Sequence, residues 1–120
     1  MGEERFKVII AGSRSFNDFE LLVAKCDKLL SAKTEGEVVS GTARGTDQLG
    51  ENYAKERGFP IKKFPANWEK YGKIAGYKRN EEMADYADAL IAFWDGLSPG
   101  TKHMISTAEK KGLKVRVFRY

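Results

Sequence analysis

Apolar positions along the chain follow two alternating periods. The stretch Phe6-Lys7-Val8-Ile9-Ile10-Ala11 is a short apolar run, rich in β-branched residues, that ends at Gly12 and predicts a strand covered on both faces. Phe19, Leu22, Val23, Cys26, Leu29 and Leu30 then recur at helical spacing, with Asn17 and Glu20 placed as a capping pair at the start. The pattern repeats. Residues 37–40 read as a second strand ending at Gly41, a helix runs from about Thr46 to Arg57 and stops at Gly58, and residues 61–64 form a third strand. A polar and aromatic loop is expected over residues 65–76, then a helix over 77–86 and a strand over 89–94. After a loop at 95–100, the last helix sets Thr101, Met104, Ile105 and Ala108 on one face and ends at Gly112, ahead of a strand over 114–118.

Strands alternating with helices require a mainly parallel sheet, because right-handed crossovers lay the helices on its two faces. The expected fold is therefore α/β, a three-layer Rossmann-like sandwich with a mainly parallel five-stranded sheet, formed by residues 1–120 as one domain.

Composition narrows the class without changing that picture. A chain of 120 residues with 42% hydrophobic and 32% charged positions builds one core, which excludes a multidomain machine and a disordered chain. Cys26, the single cysteine, permits neither an internal disulfide nor a cysteine cluster for zinc or iron–sulfur chemistry. A reducing, cytoplasmic setting is expected, with no metal and no resident cofactor. No apolar run approaches the roughly 18 to 20 residues of a membrane span, and Met1-Gly2-Glu3-Glu4-Arg5 carries no apolar signal region, so neither a membrane partner nor secretion is expected. The net charge of +4 is uneven: residues 1–60 hold 9 basic and 10 acidic groups, and the remainder 12 and 7. That excess fits an anionic ligand, or simply a lysine-decorated surface.

In a parallel sheet every loop that follows a strand lies at the carboxyl edge, where ligands bind at the strand-order switch. Four such loops should converge: Gly12-Ser13-Arg14-Ser15; Gly41-Thr42-Ala43-Arg44-Gly45-Thr46-Asp47; the segment 65–76 leading to Arg79 and Asn80; and Asp95-Gly96-Leu97-Ser98-Pro99-Gly100-Thr101. Gly41 and Gly45 allow close backbone approach, and the helix start after them offers N–H groups to a phosphate. Asp47 competes with an anion there, and either caps the helix or takes ribose hydroxyls. Arg14, Arg44 and Arg79 each suit bidentate phosphate contact, or serve as solvated surface arginines. Asn80 shares a helical row with Met83, Ala84 and Ala87, and is either a buried structural hydrogen bonder or a base reader. Trp68 and Tyr71 stack on a base, or serve as lid or oligomer contacts. Trp94 is core or site floor, and His103 is expected on the polar surface of the last helix.

At Gly12-Ser13-Arg14 and Ser40-Gly41-Thr42-Ala43-Arg44-Gly45-Thr46-Asp47 the chain resembles the SMF/DprA–LOG (SLOG) superfamily of nucleotide-binding Rossmann-like domains. The run Phe64-Pro65-Ala66-Asn67-Trp68, with Tyr71-Gly72-Lys73, Arg79-Asn80, Met83, Phe93-Trp94-Asp95-Gly96 and Ser98-Pro99-Gly100-Thr101-Lys102, is similar to its small YspA, cpYpsA-related branch. The resemblance implies a site for a nucleotide or nucleotide-derived ligand, held by a sensor, carrier or sequestering module. LOG enzymes, which remove the base from nucleoside monophosphates, carry a Pro-Gly-Gly-x-Gly-Thr-x-x-Glu motif, and Met104 stands here where that glutamate would fall. N-glycosidic cleavage is thus the alternative, and it would fall to Asp47 and Asp95, provided that their strands are neighbours. Relatives like DNA-processing protein A supply a further alternative, single-stranded DNA binding. A homo-oligomer is expected.

Overall fold

A computed structural model of the chain describes residues 5–31 and 35–120, so the reading of residues 1–4 as free of a signal segment lies outside the described residues. Five strands alternate with helices in the order β1 (Phe6–Gly12), α1 (Phe19–Leu30), β2 (Gly36–Ser40), α2 (Thr46–Arg57), β3 (Ile61–Lys63), α3 (Trp68–Tyr71), α4 (Ala75–Tyr86), β4 (Ala89–Trp94), α5 (Pro99–Lys110) and β5 (Lys114–Arg119). Every strand pair is parallel, and the sheet runs β3-β2-β1-β4-β5. This is the Rossmann-like α/β arrangement that the alternating pattern predicts.

The unbroken apolar runs divide between two cores because successive strand side chains point to opposite faces. Val8, Ile10, Val38, Ile91 and Phe93 meet Leu22, Cys26 and Leu30 of α1 and Tyr53 and Ala54 of α2. Ile9, Ala11, Val39, Leu90 and Ala92 meet Met83 and Ala84 of α4 and Met104 and Ala108 of α5. Cys26 is fully buried, and burial pushes its thiol up to about 12, so it stays protonated within the core.

Two details depart from the reading of the sequence. Asp18, not Asn17, caps α1: its carboxylate accepts from Leu21 N at 3.0 Å, because the apolar stripe begins at Phe19 and the cap must directly precede it. The expected loop at 65–76 is partly helical. Asn67 caps α3 by accepting from Lys70 N at 3.0 Å, a 3-10 turn follows over Gly72–Ile74, and α4 starts at Ala75 rather than at 77. Among the described residues no helix is long and apolar enough to cross a membrane.

Candidate functional site

With β1 central in the sheet, chain connections depart to opposite sides on either side of it, and the loops after β1 and β4 flank the crevice this leaves. Gly12 and Phe93 are register partners, and a Cβ on Gly12 would stand 2.2 Å from Phe93 O and 2.6 Å from Thr46 Oγ1. Only glycine fits there. Ser13 N donates to Phe93 O at 2.9 Å, and Ser13 Oγ accepts from Asp95 N at 3.1 Å, which ties the two loops together. Thr46 Oγ1 donates to Ser13 O at 3.0 Å and joins the start of α2 to the same frame.

The loop after β2 is shaped from beneath. Ser40 Oγ donates to Glu51 Oε2 at 2.6 Å and accepts from Thr42 N at 3.1 Å, holding Thr42 at φ 63. A positive φ on a threonine is a sparsely populated conformation maintained by its surroundings. Asp47 folds back on this loop and accepts from Ala43 N at 3.1 Å, so it braces the turn instead of capping α2, whose N-cap is Gly45. At 5% exposure its carboxyl is pushed up to about 6 by burial, against the pull of the Ala43 N–H and the Arg79 guanidinium. Arg79 donates from Nη1 to Gly41 O, and its own burial lowers its pKa.

These pieces enclose a cleft in two joined parts. One part, about 250 Å³, is lined by Gly12, Arg14, Asp47, Trp68, Tyr77 and Arg79, with Asn80, Met83, Ser98, Gly100 and Thr101 further along its wall. The other, about 330 Å³, lies among Arg14, Gly41, Thr42, Arg44, Trp68 and Arg79. Arg14, Ala43, Trp68 and Arg79 line both. Arg14, Arg44 and Arg79, from three separate segments, thus border the second part, and Arg14 and Arg79 the first as well. The first part alone reaches the start of α5, where Ser98 makes no side-chain cap and Gly100 has open space before it.

Other residues singled out from the sequence lie elsewhere. Ser13, Gly45 and Thr46 are the frame beneath the cleft, absent from the lining of either part. Gly45 is packed so that a Cβ would stand 2.4 Å from Arg14 O, leaving the α2 start abutting protein backbone rather than open space. Ser15 points away, with its hydroxyl 3.0 Å from Tyr120 Oη. Asp95 organises its own loop by accepting from Leu97 N and Ser98 N, each at 2.8 Å, and these N–H groups hold its carboxyl below the usual range. β1 separates β2 from β4, so Asp47 and Asp95 do not follow neighbouring strands. Trp94 is half-buried at the strand end and donates to Ser98 O at 3.1 Å.

His103 is not the free surface residue expected of it. Its half-buried ring stacks on Tyr77 at 4.2 Å and lies 3.2 Å from Asn80 Nδ2, because α5 packs against α4. Asn80 also donates to Gly100 O at 3.3 Å and accepts from Arg79 Nε at 3.1 Å, so both sides of its amide are engaged by protein groups. Tyr77, Lys73 and Gly76 line the cleft without having been chosen from the sequence as site residues. The signal was their position in an aromatic segment after β3, which periodicity alone leaves unassigned.

Residues 6–71, which carry the first two loops and the Trp68–Tyr71 part of the aromatic segment, match the family model of YspA, cpYpsA-related SLOG proteins. The chain belongs to the YspA, cpYpsA-related SLOG family. It is 37% identical over 116 residues to the Gene 61 protein of Mycobacterium phage D29, an alignment covering 91% of this chain and 93% of that protein. Family membership supports a role in binding a nucleotide-related ligand. Within this SLOG chain, Arg79, Asn80 and the α5 start lie beyond the matched stretch, yet the fold brings them onto the same cleft.

Proposed function

We propose that the cleft binds a nucleotide or nucleotide-derived small molecule, and that the protein acts as a sensor, carrier or sequestering module for it. The observation that carries this reading is the cleft in two joined parts that share Arg14, Trp68 and Arg79, with Arg44 bordering one part and Tyr77 the other. Guanidinium groups suit bidentate phosphate contact, and the aromatic wall suits a base. The phosphate sits against the α5 start at Ser98, Gly100 and Thr101, where helix N–H groups and the dipole favour an anion. Asp47, which belongs to the lining, accepts from ribose hydroxyls in this reading.

Calorimetric titration with adenosine 5′-monophosphate and ADP-ribose tests the reading. Arg14→Ala and Arg44→Ala each remove an exposed guanidinium, so both should fold normally and weaken binding by about tenfold or more, the scale of a charge-assisted hydrogen bond. Unchanged affinity in both variants refutes the site.

N-glycosidic cleavage keeps one supporting observation, the Asp47 carboxyl at about 6 in the cleft wall, a value that suits a general acid. Against it, Met104 is 2% exposed in the core beneath α5 and offers no acid–base group. Release of free base from nucleoside monophosphates by wild type, and its loss in Asp47→Asn, would establish the enzyme. A single-stranded DNA ligand is distinguished by salt: its affinity should fall steeply with ionic strength, that of a mononucleotide much less. The homo-oligomer reading rests on Trp68, Ile74 and Leu97, exposed at 58%, 49% and 84%, and sedimentation equilibrium decides it.

A further inference from the structure

Behind the cleft wall a short hydrogen-bonded chain joins α5 to the arginine cluster. His103 Nδ1 lies 3.2 Å from Asn80 Nδ2, Asn80 Oδ1 accepts from Arg79 Nε at 3.1 Å, and Arg79 Nη1 donates to Gly41 O. Two partners of the Asn80 amide have fixed polarity. Arg79 Nε only donates and Gly100 O only accepts, so a single amide orientation serves both. That orientation presents the Asn80 NH₂ to His103 Nδ1, which must therefore supply a lone pair. The imidazole is then neutral, with its proton on Nε2 directed at Thr107 Oγ1, 3.4 Å away. Tyr77, stacked at 4.2 Å, fixes the ring plane.

We propose that His103 is a positioning residue and protonation switch for the cleft: the neutral ring locks Asn80, and through it Arg79, in the ligand-binding arrangement, and the imidazolium releases them. A proton on Nδ1 sets donor against donor at the Asn80 amide. Turning the amide over gives no relief, because its NH₂ then meets Arg79 Nε–H while its oxygen meets Gly100 O. Each orientation leaves groups unpaired in a half-buried cluster, so the charged ring and the assembled chain exclude one another. Around the ring, Glu81 of α4 favours the proton and Lys110 of α5 opposes it, while burial, the largest influence, lowers the pKa. Arg79 and Asp47 stand at the far end of the chain, Asp47 with its own titration at about 6.

The effect on binding rests on the nucleotide reading; the coupling of His103 to Asn80 and Arg79 does not, and two measurements keep them separate. The first follows the Asn80 side-chain amide and Arg79 Nε–H resonances by NMR across the His103 titration. They should move at the His103 midpoint in wild type and lose that transition in His103→Asn, whose oxygen accepts near the Nδ1 position without titrating. Resonances that ignore the His103 midpoint, or move alike in the variant as they would under Asp47 alone, overturn the switch. The second compares the Kd for adenosine 5′-monophosphate between wild type and variant. Phosphate and Asp47 titrations are common to both and cancel in the ratio. The ratio should stay near one above the midpoint and favour the variant by up to about tenfold per pH unit below it. A flat ratio with measurable binding also overturns the switch. Absence of binding by either protein at every pH refutes the nucleotide reading instead and leaves the NMR result to decide the coupling. If His103→Asn does not fold, the wild-type NMR titration decides alone: Asn80 and Arg79 resonances that ignore the His103 midpoint overturn the switch.

Discussion

Asp47 shows how a side chain acquires its properties from what surrounds it. In the sequence it is a carboxylate in a first helical turn; in the fold it is enclosed and braces Ala43, with its pKa raised from 3.8 to about 6. A carboxyl that binds its proton more tightly when folded makes stability fall as pH rises between those two values, and the penalty persists above them. Asp47→Asn removes the charge and keeps an oxygen for the Ala43 N–H. It should therefore stabilise the protein by about 1–3 kcal/mol at neutral pH and by little near pH 4, measured by urea unfolding at both. Gly12 makes the opposite case, since Gly12→Ala drives a methyl into the Phe93 carbonyl. Thermal melts should show a loss of about 1–3 kcal/mol or more.

At the scale of elements, the sequence was most legible where one period ran long enough. α1 carries six apolar positions at helical spacing, and its core face, Leu22, Cys26 and Leu30, is the one the spacing predicts. The helix starts one residue later than the pattern predicts, because Asn17 and Asp18 are both capable caps and only the geometry at Leu21 N chooses between them. Asp18→Ala should cost about 1 kcal/mol in chemical denaturation, and Asn17→Ala clearly less. The segment 65–76 was harder for a physical reason. α3 spans four residues and buries none of them, so no apolar stripe announces it.

Over the whole molecule the decisive fact is that β1 lies between β2 and β4. That order joins Arg14 from the β1 loop, Arg44 from the β2 loop and Arg79 from α4 around one hollow. It also denies Asp47 and Asp95 neighbouring strands, which removes the condition for a paired-carboxylate site. Arg14→Ala combined with Arg44→Ala should therefore leave the melting temperature within a degree or two while weakening nucleotide binding by about a hundredfold if the two contacts are independent. A loss of binding that accompanies unfolding would contradict the assignment of both side chains to the cleft rather than to the frame.

Local chemistry along the chain determined the strands, the four long helices and the fact that the sheet is parallel, because burial on one or two faces writes its period directly into the residues. It also marked most of the loops that border the cleft, since glycine, serine and arginine after a strand end leave a local signature. Long-range contact decided the rest. Which loops became wall and which became frame, why Ser15 turns to Tyr120 and why His103 meets Asn80 depend on strand order and on the packing of α5 against α4. Those are relations between residues up to 105 positions apart, and no short window of sequence contains them.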